Sequence, residues 1–223
     1  MKFALMMSTL CISSIAMVGC SSKVVEPDQY SGFLKDYSQL KEAQSPSGAT
    51  VMRWVDPKLD INKYRSVYIE PTQLYPKPQP TAKIPQGTLS GITSYYDQAL
   101  KREVGKSLPL AAGPGPGVLV VRAAITAVSS KTEGLKPYEV IPIALVAAAV
   151  STASGIRDQE TDLATEAVFL DGGNNKVLAQ VVRKGTGKPL ENESQVMKAD
   201  DVKGVIDGWA ADLHQSYLKL KSK

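Results

Sequence analysis

The chain has 223 residues, of which 43% are apolar and 22% are charged. This composition suffices for the core of one domain, and it argues against a disordered chain, a collagen, a coiled coil or a multi-span membrane protein. The 26 Lys and Arg against 22 Asp and Glu give a formal charge of +4, too small to indicate nucleic-acid binding. One histidine and two cysteines argue against most metal sites, against disulfide frameworks and against nucleophiles that depend on histidine.

The N-terminus predicts a signal peptide that ends at a lipidation site. Lys2 precedes an uncharged, mostly apolar run at residues 3–18, which is too short and too polar for a membrane anchor. The run ends in Met17-Val18-Gly19-Cys20, which resembles the bacterial lipobox. That resemblance implies that residues 1–19 are removed and that Cys20 carries lipid. An ordinary secretory signal with an unrelated cysteine is the alternative.

Lipidation of Cys20 would decide where the protein resides. Two or three acyl chains hold a protein durably on a membrane, and no free thiol would remain because Cys11 leaves with the signal peptide. Ser21, and no aspartate, follows Cys20. Under the Gram-negative sorting rule, the resemblance then implies the outer membrane with the domain facing the periplasm, surface exposure being the alternative. Residues 20–29 would be the lipidated cysteine and tether, and residues 30–223 a single periplasmic domain.

The first half of the domain is predicted to contain short elements. Apolar side chains recur every three or four positions within residues 30–40, which predicts an amphipathic helix or turn that docks on the domain. β-favouring residues predict strands at residues 50–55 and 64–70. Between residues 71 and 85, five prolines and Tyr75 indicate a rigid connector or, alternatively, a ligand-presenting loop.

Two helices and a hairpin are predicted in the rest of the domain. One apolar stripe predicts a helix over residues 88–108, and another predicts a C-terminal helix capped by a residue of the Asp200-Asp201 pair. The apolar run at residues 118–128 indicates a strand at the centre of the sheet. Residues 161–170 and 176–184 are predicted to be two strands joined by a turn.

Taken in chain order, these elements predict an α+β fold. Two main helices would pack on one face of a single mixed or antiparallel sheet of about four or five strands. The order is similar to that of the periplasmic domains of curli-export and synthase-activating envelope lipoproteins, which is a likeness of topology and does not fix function.

Residues 138–155 are an apolar segment with one charged residue, Glu139. The 14 residues from position 142 to position 155 are fewer than the ~20 that a membrane span needs. Small side chains permit close backbone contact, so the segment is predicted to be a core helix or, alternatively, a contact with a partner or with the membrane interface. The candidate interaction surface consists of Tyr75, Ile143, Leu145, Val146 and Val150.

Catalytic patterns are weak throughout the chain. Ser38 and Lys41 match the S-x-x-K spacing, but the partner motifs of that machinery are absent. Residues 185–188 resemble a phosphate-binding loop, but Pro189 stands in place of the metal-binding hydroxyl. A turn after a strand is the preferred interpretation of residues 185–188.

Metal-binding patterns are equally weak. Asp158, Glu160 and Asp162 alternate as calcium ligands can, but the glycine and the closing glutamate of a calcium loop are missing, so a solvated strand entry is preferred. His214 lies near the end of the last helix and is predicted to be a surface or boundary residue. We therefore expect no catalytic residue, no metal and no cofactor, and the protein is predicted not to be an enzyme.

Two strand glutamates require partners if they are buried. Glu70 and Glu166 lie within or at the end of apolar strands, and the candidate partners are Arg122, Arg53 and Arg183. A structural ion pair is preferred to a catalytic pair.

Four stretches carry a resemblance to a known family: YSGFLKDYSQL at residues 30–40, Arg53-Trp54, YRSVYIEP at residues 64–71 and the strand that ends in Asp171. Together they resemble the uncharacterised bacterial lipoproteins grouped as domain-of-unknown-function family DUF3313. The resemblance would cover nearly the whole mature chain. It implies localisation and architecture, and it supplies no functional site.

These observations predict an outer-membrane lipoprotein whose domain binds or assembles with a partner without catalysis. The partner would be another envelope protein or a second copy of the chain. A carrier of a small ligand or glycan is the alternative, and it requires a concave apolar pocket. A hydrolase of envelope polymers, with His214 or Ser38 as its active residue, is the third hypothesis.

Overall fold

The computed structural model describes residues 24–132, 159–192 and 194–222. Within these residues, no helix is long and apolar enough to cross a membrane. Several predicted features lie outside the described residues, namely the signal peptide, Cys20, Asp158, Ile143, Leu145, Val146 and Val150.

The described residues form a mixed sheet of seven strands. The strands are β1 (Lys41–Gln44), β2 (Thr50–Val55), β3 (Ser66–Ile69), β4 (Gln73–Leu74), β5 (Val118–Thr132), β6 (Gln159–Asp171) and β7 (Val177–Thr186). Their order is β1-β2-β7-β6-β5-β3, and β4 also pairs with β5. Strands β3 and β4 run parallel to β5, and the other neighbours are antiparallel. The predicted α+β class is confirmed, with more strands than the predicted four or five because β1 and β4 are too short to show an apolar pattern.

The predicted hairpin is confirmed as β6 and β7. The two strands pair in antiparallel register from Asp162 opposite Thr186 to Leu170 opposite Val177. Asn175 closes the turn with φ at 59°, a conformation that asparagine tolerates better than most residues. Its amide donates to the Asp171 carbonyl oxygen at 2.8 Å. Strand β5 pairs with β6 on one side and with β3 and β4 on the other. It is therefore an interior strand, as its apolar run indicates, but it lies next to the edge strand β3 and not at the centre of the sheet as predicted.

The two predicted helices are α1 (Gln86–Val104) and α2 (Lys203–Lys221). The apolar stripe of α1 is buried as predicted, at Leu89, Ile92, Tyr96, Ala99, Leu100 and Val104. The helix begins two residues before the predicted start at Thr88, so Pro85 and not Thr88 is at the N-cap position. Both helices pack in one apolar cluster with the sheet, where Ile92, Leu100 and Ile206 are almost fully buried.

The predicted aspartate cap of α2 is wrong. Asp200 and Asp201 belong to a 3-10 turn (Ala199–Asp201) that precedes the helix, and Val202 stands at the N-cap position. The Asp201 carboxylate accepts a hydrogen bond from the Lys198 amide at 2.7 Å, and Asp200 pairs with Lys203 at 2.6 Å. Because the Asp201 carboxylate is bonded within the turn and the Asp200 carboxylate is paired with Lys203, neither caps the helix.

Residues 24–40, here called the N-terminal segment, cover the sheet face opposite the helices. Leu34 and Leu40 are buried there against Val120 and Val182. The N-terminal segment consists of a 3-10 turn (Pro27–Gln29) and further turns. Of the two predicted forms, the turn is therefore the one present, and the predicted docking on the domain is confirmed.

Candidate ligand-binding cavity

A cavity of about 680 Å³ lies between the helix-covered face of the sheet and the two helices. Residues of β2, β5, β6 and β7 line it on one side, and residues of α1 and of the C-terminal half of α2 line it on the other. The loops after β1 and β2 complete the wall. The volume lies within the roughly 300–1,000 Å³ that is typical of small-molecule sites.

Apolar side chains form most of the cavity wall. Because side chains alternate along a strand, the wall is formed by those that face the helices, and Leu178 joins them at the irregularity of the β6–β7 pairing. Together with α1, the strands supply Val51, Leu100, Val104, Leu119, Phe169 and Leu178. Such a wall favours a ligand with a hydrocarbon surface, because contact removes apolar area from water on both sides.

Arg183 is a buried cation in this apolar wall. It lies on β7 opposite Thr165 of β6, and 9% of its surface is exposed. Its Nη1 donates to the Trp209 carbonyl oxygen at 3.4 Å and lies 3.7 Å from Asp212 Oδ2. Its buried Nε has no hydrogen-bond partner among the described residues. Burial lowers the pKa of the Arg183 guanidinium, because the surrounding protein does not fully compensate the lost hydration of the charged form.

Trp209 lies beside Arg183 because β7 has a glycine at position 185. A Cβ on Gly185 would lie 2.6 Å from Val205 Cγ1 and 3.2 Å from the Trp209 ring, so the missing side chain lets α2 approach the strand. The indole centroid is 5.8 Å from Arg183 Cζ, within the range of a cation–π contact. Tyr96 meets the indole edge-on at 6.2 Å.

Asp212 is the carboxylate nearest to Arg183, and its main partner is Ser47. Asp212 is 4% exposed. Its oxygens accept hydrogen bonds from the Ser47 amide at 2.8 Å and from the Ser47 hydroxyl at 3.0 Å. These bonds satisfy the Asp212 carboxylate and tie α2 to the loop after β1. The 3.7 Å approach to Arg183 is longer than any hydrogen bond.

The other charges that line the cavity are mainly positive. Arg53 lies on β2, and the exposed Lys219 lies on α2. Among the described lining residues, the one carboxylate is that of Asp56, to which Lys176 Nζ donates at 2.6 Å. This hydrogen bond is the main cause of the lowered pKa of Asp56. Asp56 is engaged by a cation outside the wall, and Asp212 lies within ion-pair distance of Arg183. The three cations Arg53, Arg183 and Lys219 therefore outnumber these two carboxylates around the cavity.

The structure places two predicted candidates away from the cavity. Tyr75 is 38% exposed, and its ring lies 5.7 Å from that of Phe33 in the N-terminal segment. Ser38 and Lys41 are not on one helix, because Ser38 lies in a turn, where its amide bonds to Asp36, and Lys41 begins β1. The S-x-x-K geometry is therefore absent.

Residues 185–188 end β7 and turn against α2, in agreement with the preferred interpretation. The Gly187 amide donates to the Thr161 carbonyl oxygen, and the Lys188 amide donates to the Asp201 carbonyl oxygen, both at 2.7 Å. A Cβ on Gly187 would lie 2.4 Å from the Asp201 oxygen, so this close approach requires glycine.

The prediction of a solvated acidic strand entry is wrong for Asp162. Strand β6 already begins at Gln159, which places Asp162 inside the sheet, where it is 6% exposed and accepts a hydrogen bond from Thr186 at 3.0 Å. His214 is half-buried, as expected of a boundary residue, and shares a 2.8 Å hydrogen bond with the Ser107 hydroxyl. In the described part of the chain, no group of three His, Cys, Asp or Glu residues could hold a metal ion.

The ion pair predicted for Glu70 is confirmed. Arg122 donates to its carboxylate through Nε at 2.6 Å and through Nη2 at 2.9 Å. This pair lies at the sheet face that carries the N-terminal segment, because Arg122 is opposite Val168, a member of the apolar cluster of that face.

Glu166 has no arginine partner in the described structure, contrary to the prediction. It is 1% exposed and accepts hydrogen bonds from the Ser31 amide at 2.8 Å and from the Tyr37 hydroxyl at 2.6 Å. Arg53 and Arg183 cannot serve it, because they line the cavity on the other side of the sheet. Burial, together with the bond to Glu166, raises the pKa of Tyr37 to about 12.

The cavity was not predicted from the sequence. One signal was available, because Arg53 and Arg183 each lie two positions from a valine of the same strand, Val51 or Val181, and so interrupt an apolar face. Arg53 and Arg183 lie on the same face of the sheet only if the register of β2 and β7 places them there. A single sequence does not supply that register.

The fold and the site together define an α+β domain with an apolar cavity, lined by cations, between its sheet and its helices. Residues 29–213 match the family model described as "Protein of unknown function (DUF3313)". Over 198 residues, the chain is 43% identical to the uncharacterized lipoprotein YdcL of Escherichia coli K12, with 89% of each chain covered. The protein of Escherichia coli O157:H7 with the same name gives the same values. The chain therefore belongs to DUF3313, a family of uncharacterised lipoproteins, as its sequence predicted.

Similarity to solved structures is distant. A PelC dodecamer from Paraburkholderia phytofirmans is 11% identical, with a TM-score of 0.39 over 74% of this chain and 96% of that one. A putative neuraminyllactose-binding hemagglutinin homolog from Helicobacter pylori is 12% identical, with a TM-score of 0.35 over 75% of this chain and 94% of that one. Similarity at this level carries no functional conclusion.

Proposed function

We propose that the protein is a lipid-anchored protein of the cell envelope whose domain binds a small, mainly apolar molecule without catalysing a reaction. The observation that carries this proposal is the cavity of about 680 Å³ with its apolar wall. A concave apolar pocket is the feature that the small-ligand hypothesis required. A binding role also accounts for the position of the cavity between rigid elements, where walls are largely preformed.

The proposed location is the outer membrane, with the domain in the periplasm. Lipidation of Cys20 after removal of residues 1–19 would anchor the protein. The lipobox-like sequence and the lipoprotein relatives support the anchor, and Ser21 supports sorting to the outer membrane. In this arrangement, residues 20–23 separate the lipid from the N-terminal segment.

The absence of catalysis is part of the proposal. The described lining residues include no histidine and no cysteine. Ser45 and Ser216 line the cavity, but His214, the general base that a serine nucleophile would use, does not line it and is bonded to Ser107.

A cavity-filling substitution tests the proposal. Ala167 is 4% exposed and lines the cavity, so Ala167→Leu places a larger side chain in the ligand space. The intact lipidated protein, in a mild neutral detergent, is titrated with 1-dodecanol as a neutral apolar probe, and binding is read by native mass spectrometry. We expect one dodecanol per wild-type chain and none in Ala167→Leu. The exposed Ala82 gives the matched control Ala82→Leu, which should bind like the wild type.

These titrations decide whether the cavity binds an apolar ligand. Equal dodecanol binding by wild type and Ala167→Leu, or none by either, would contradict the proposal. If Ala167→Leu does not fold, Ala179→Leu replaces it, because Ala179 is half-buried in the same lining and tolerates a larger side chain better.

Assembly with an envelope protein or with another copy of the chain is the second candidate function. Its support is the sequence of the apolar segment at residues 138–155, with Leu145 and Val146 near its middle. The test is the mass of the detergent-extracted complex and its co-purifying proteins, compared with a Leu145→Lys, Val146→Lys variant. Assembly is supported if the wild type is extracted as a complex and the variant, still folded, is not. A wild-type monomer without partners contradicts assembly.

A further inference from the structure

We infer that the ligand of the cavity is a single-chain amphiphile with an anionic head group, a carboxylate or a phosphate, and that Arg183 binds this head group. The inference rests on the proposed function, because it names the class of molecule that the cavity would hold. It is carried by the incomplete bonding of Arg183 and by the charges around it.

Arg183 has more donors than the described structure satisfies. A guanidinium has five N–H donors. Nη1 makes one long hydrogen bond, at 3.4 Å, and Nε makes none with the described residues although it is buried. A buried cation is stable when an anion and several hydrogen bonds compensate its lost hydration. Carboxylate and phosphate groups match the planar fork of a guanidinium and accept two hydrogen bonds from it.

Asp212 is a buried anion close to Arg183, but it makes no hydrogen bond to the guanidinium. Its two oxygens already accept hydrogen bonds from the amide and the hydroxyl of Ser47. Asp212 Oδ2 lies 3.7 Å from Arg183 Nη1, too far to satisfy the N–H donors of the guanidinium. A ligand anion at the Nη groups would add hydrogen bonds to Arg183 without breaking the Ser47 bonds.

The other charges around the cavity also favour an anion. Arg53 lies on β2, next to β7 in the sheet, and lines the same cavity as Arg183. Lys219 lines the cavity from α2, and Asp56 is engaged by Lys176. A low-polarity wall with an excess of cations concentrates anions. A neutral ligand would offer the Arg183 guanidinium no hydrogen-bonded anion, since Asp212 is 3.7 Å away.

The apolar wall accommodates the chain of the amphiphile. Leu100, Leu119 and Phe169 line the cavity from three different elements, so a hydrocarbon chain would contact apolar atoms on several sides. Trp209 lies between the cationic and the apolar parts of the cavity, because its indole packs against the Arg183 guanidinium and also lines the cavity. An inorganic anion alone would leave the apolar space unused.

Binding measurements with matched probes test the inference. The intact lipidated protein is titrated by native mass spectrometry with laurate, dodecyl phosphate and 1-dodecanol, and inorganic phosphate is the headless competitor. The three amphiphiles share one chain length, so their differences report the head group. We expect laurate, dodecyl phosphate or both to bind at least about tenfold more tightly than dodecanol, because hydrogen bonds to charged groups contribute about that factor. Whichever of laurate and dodecyl phosphate binds more tightly identifies the head group.

Arg183→Met is the diagnostic variant, because methionine keeps an unbranched apolar stem and removes the charge. We expect it to bind dodecanol like the wild type and to lose the preference for the anionic probes. The exposed Arg65 gives the matched control Arg65→Met, which removes the same charge outside the cavity and should keep the preference. If Arg183→Met does not fold, Arg183→Lys replaces it, with a reduced preference expected because lysine lacks the bidentate fork.

Three results would overturn the inference. They are equal affinity of the wild type for anionic and neutral probes, an unchanged preference in the Arg183 variant, and displacement of laurate by inorganic phosphate as effective as displacement by dodecyl phosphate. Failure of the proposed function gives a different pattern, because dodecanol itself would then fail to bind or would bind the cavity-filled Ala167→Leu variant equally.

Discussion

Arg183 and Glu166 are buried on neighbouring strands and point to opposite faces of one sheet. Thr165 is opposite Arg183 in the β6–β7 register, and Glu166 is opposite Val182. Arg183 therefore lines the cavity beneath the helices, whereas Glu166 receives hydrogen bonds from the N-terminal segment. One face of the sheet carries the candidate binding site, and the other carries the connection toward Cys20.

The Tyr37 hydroxyl is predicted to hold the N-terminal segment on the sheet. Tyr37→Phe removes the 2.6 Å hydrogen bond to Glu166 and the acceptor of the Gly32 amide. Because hydrogen bonds to buried charges contribute more than neutral ones, we expect a loss of about 1.5–3 kcal/mol in the free energy of unfolding. Denaturant unfolding measures this loss, and hydrogen exchange should increase first in residues 24–40.

Tyr30 offers a matched control for that variant. Its ring stacks on Tyr37 at 4.4 Å, and it lies in the same segment. Tyr30→Phe removes a hydroxyl from the stacked pair without touching Glu166, so its effect should be smaller. Equal effects of the two substitutions would show that the bond to Glu166 does not hold the segment.

The same hydroxyl predicts a loss of stability at alkaline pH. The folded state raises the pKa of Tyr37 from 10.0 to about 12, so folding favours the neutral phenol. Its contribution is complete below pH 10 and is lost as the pH rises through about 12. Unfolding midpoints across this interval should fall less steeply for Tyr37→Phe than for the wild type. A residual fall is expected from Tyr64, whose pKa is also raised, by burial and by its bond to Asp171. Parallel slopes would contradict the prediction.

Gly185 is predicted to set the distance between α2 and the sheet. In Gly185→Ala, the new Cβ would lie 2.6 Å from Val205 and 3.2 Å from Trp209, which forces the helix outward. We expect a loss of about 1–3 kcal/mol, typical of overpacking, together with altered tryptophan fluorescence. The control is Gly208→Ala on the exposed face of α2, where a Cβ meets nothing within 4 Å. It should instead stabilise the helix by about 0.5–1 kcal/mol. A neutral Gly185→Ala would contradict this account of the packing.

Arg183 is predicted to contribute little to the stability of the ligand-free protein. Its contacts with Asp212 and with the Trp209 carbonyl oxygen are long, and Asp212 keeps its Ser47 bonds in the variant. We expect Arg183→Met to change the free energy of unfolding by less than about 1 kcal/mol, or to raise it. A loss of more than about 3 kcal/mol, the value for a broken buried ion pair, would show that Arg183 has a structural role. Arg65→Met controls for the change in net charge.

The helices and the hairpin could be predicted from the sequence because local patterns determine them. The α1 stripe is regular from Leu89 to Val104, and the residues of the β6–β7 turn tolerate its backbone conformation. Strands β1 and β4 carry no comparable pattern, since they are short and their pairing depends on neighbours distant in sequence. Helix α2 begins at an unexpected residue because the carboxylates of Asp200 and Asp201 have other partners.

The partners of the buried charges could not be predicted, because they depend on strand register. Shifting a strand by one residue exchanges its two faces, so the sequence alone did not separate Arg183 from Glu166. The Glu70–Arg122 pair could be predicted because Arg122 lies on the apolar strand β5 and Glu70 directly follows the apolar strand β3, which is next to β5 in the sheet. The cavity depends on the distance between α2 and the sheet. Gly185 and Trp209 together determine that distance.

The most direct test of the account is the chemical identification of small molecules that remain bound to the intact protein after extraction from its own membrane. Denaturation in organic solvent followed by mass spectrometry would be applied to the wild type, Ala167→Leu and Arg183→Met. We predict an anionic single-chain amphiphile in the wild type, at about one per chain, and its loss from both variants. Equal amounts of the same molecule in the wild type and in Ala167→Leu, or none in the wild type, would contradict the central claim that the cavity is a binding site.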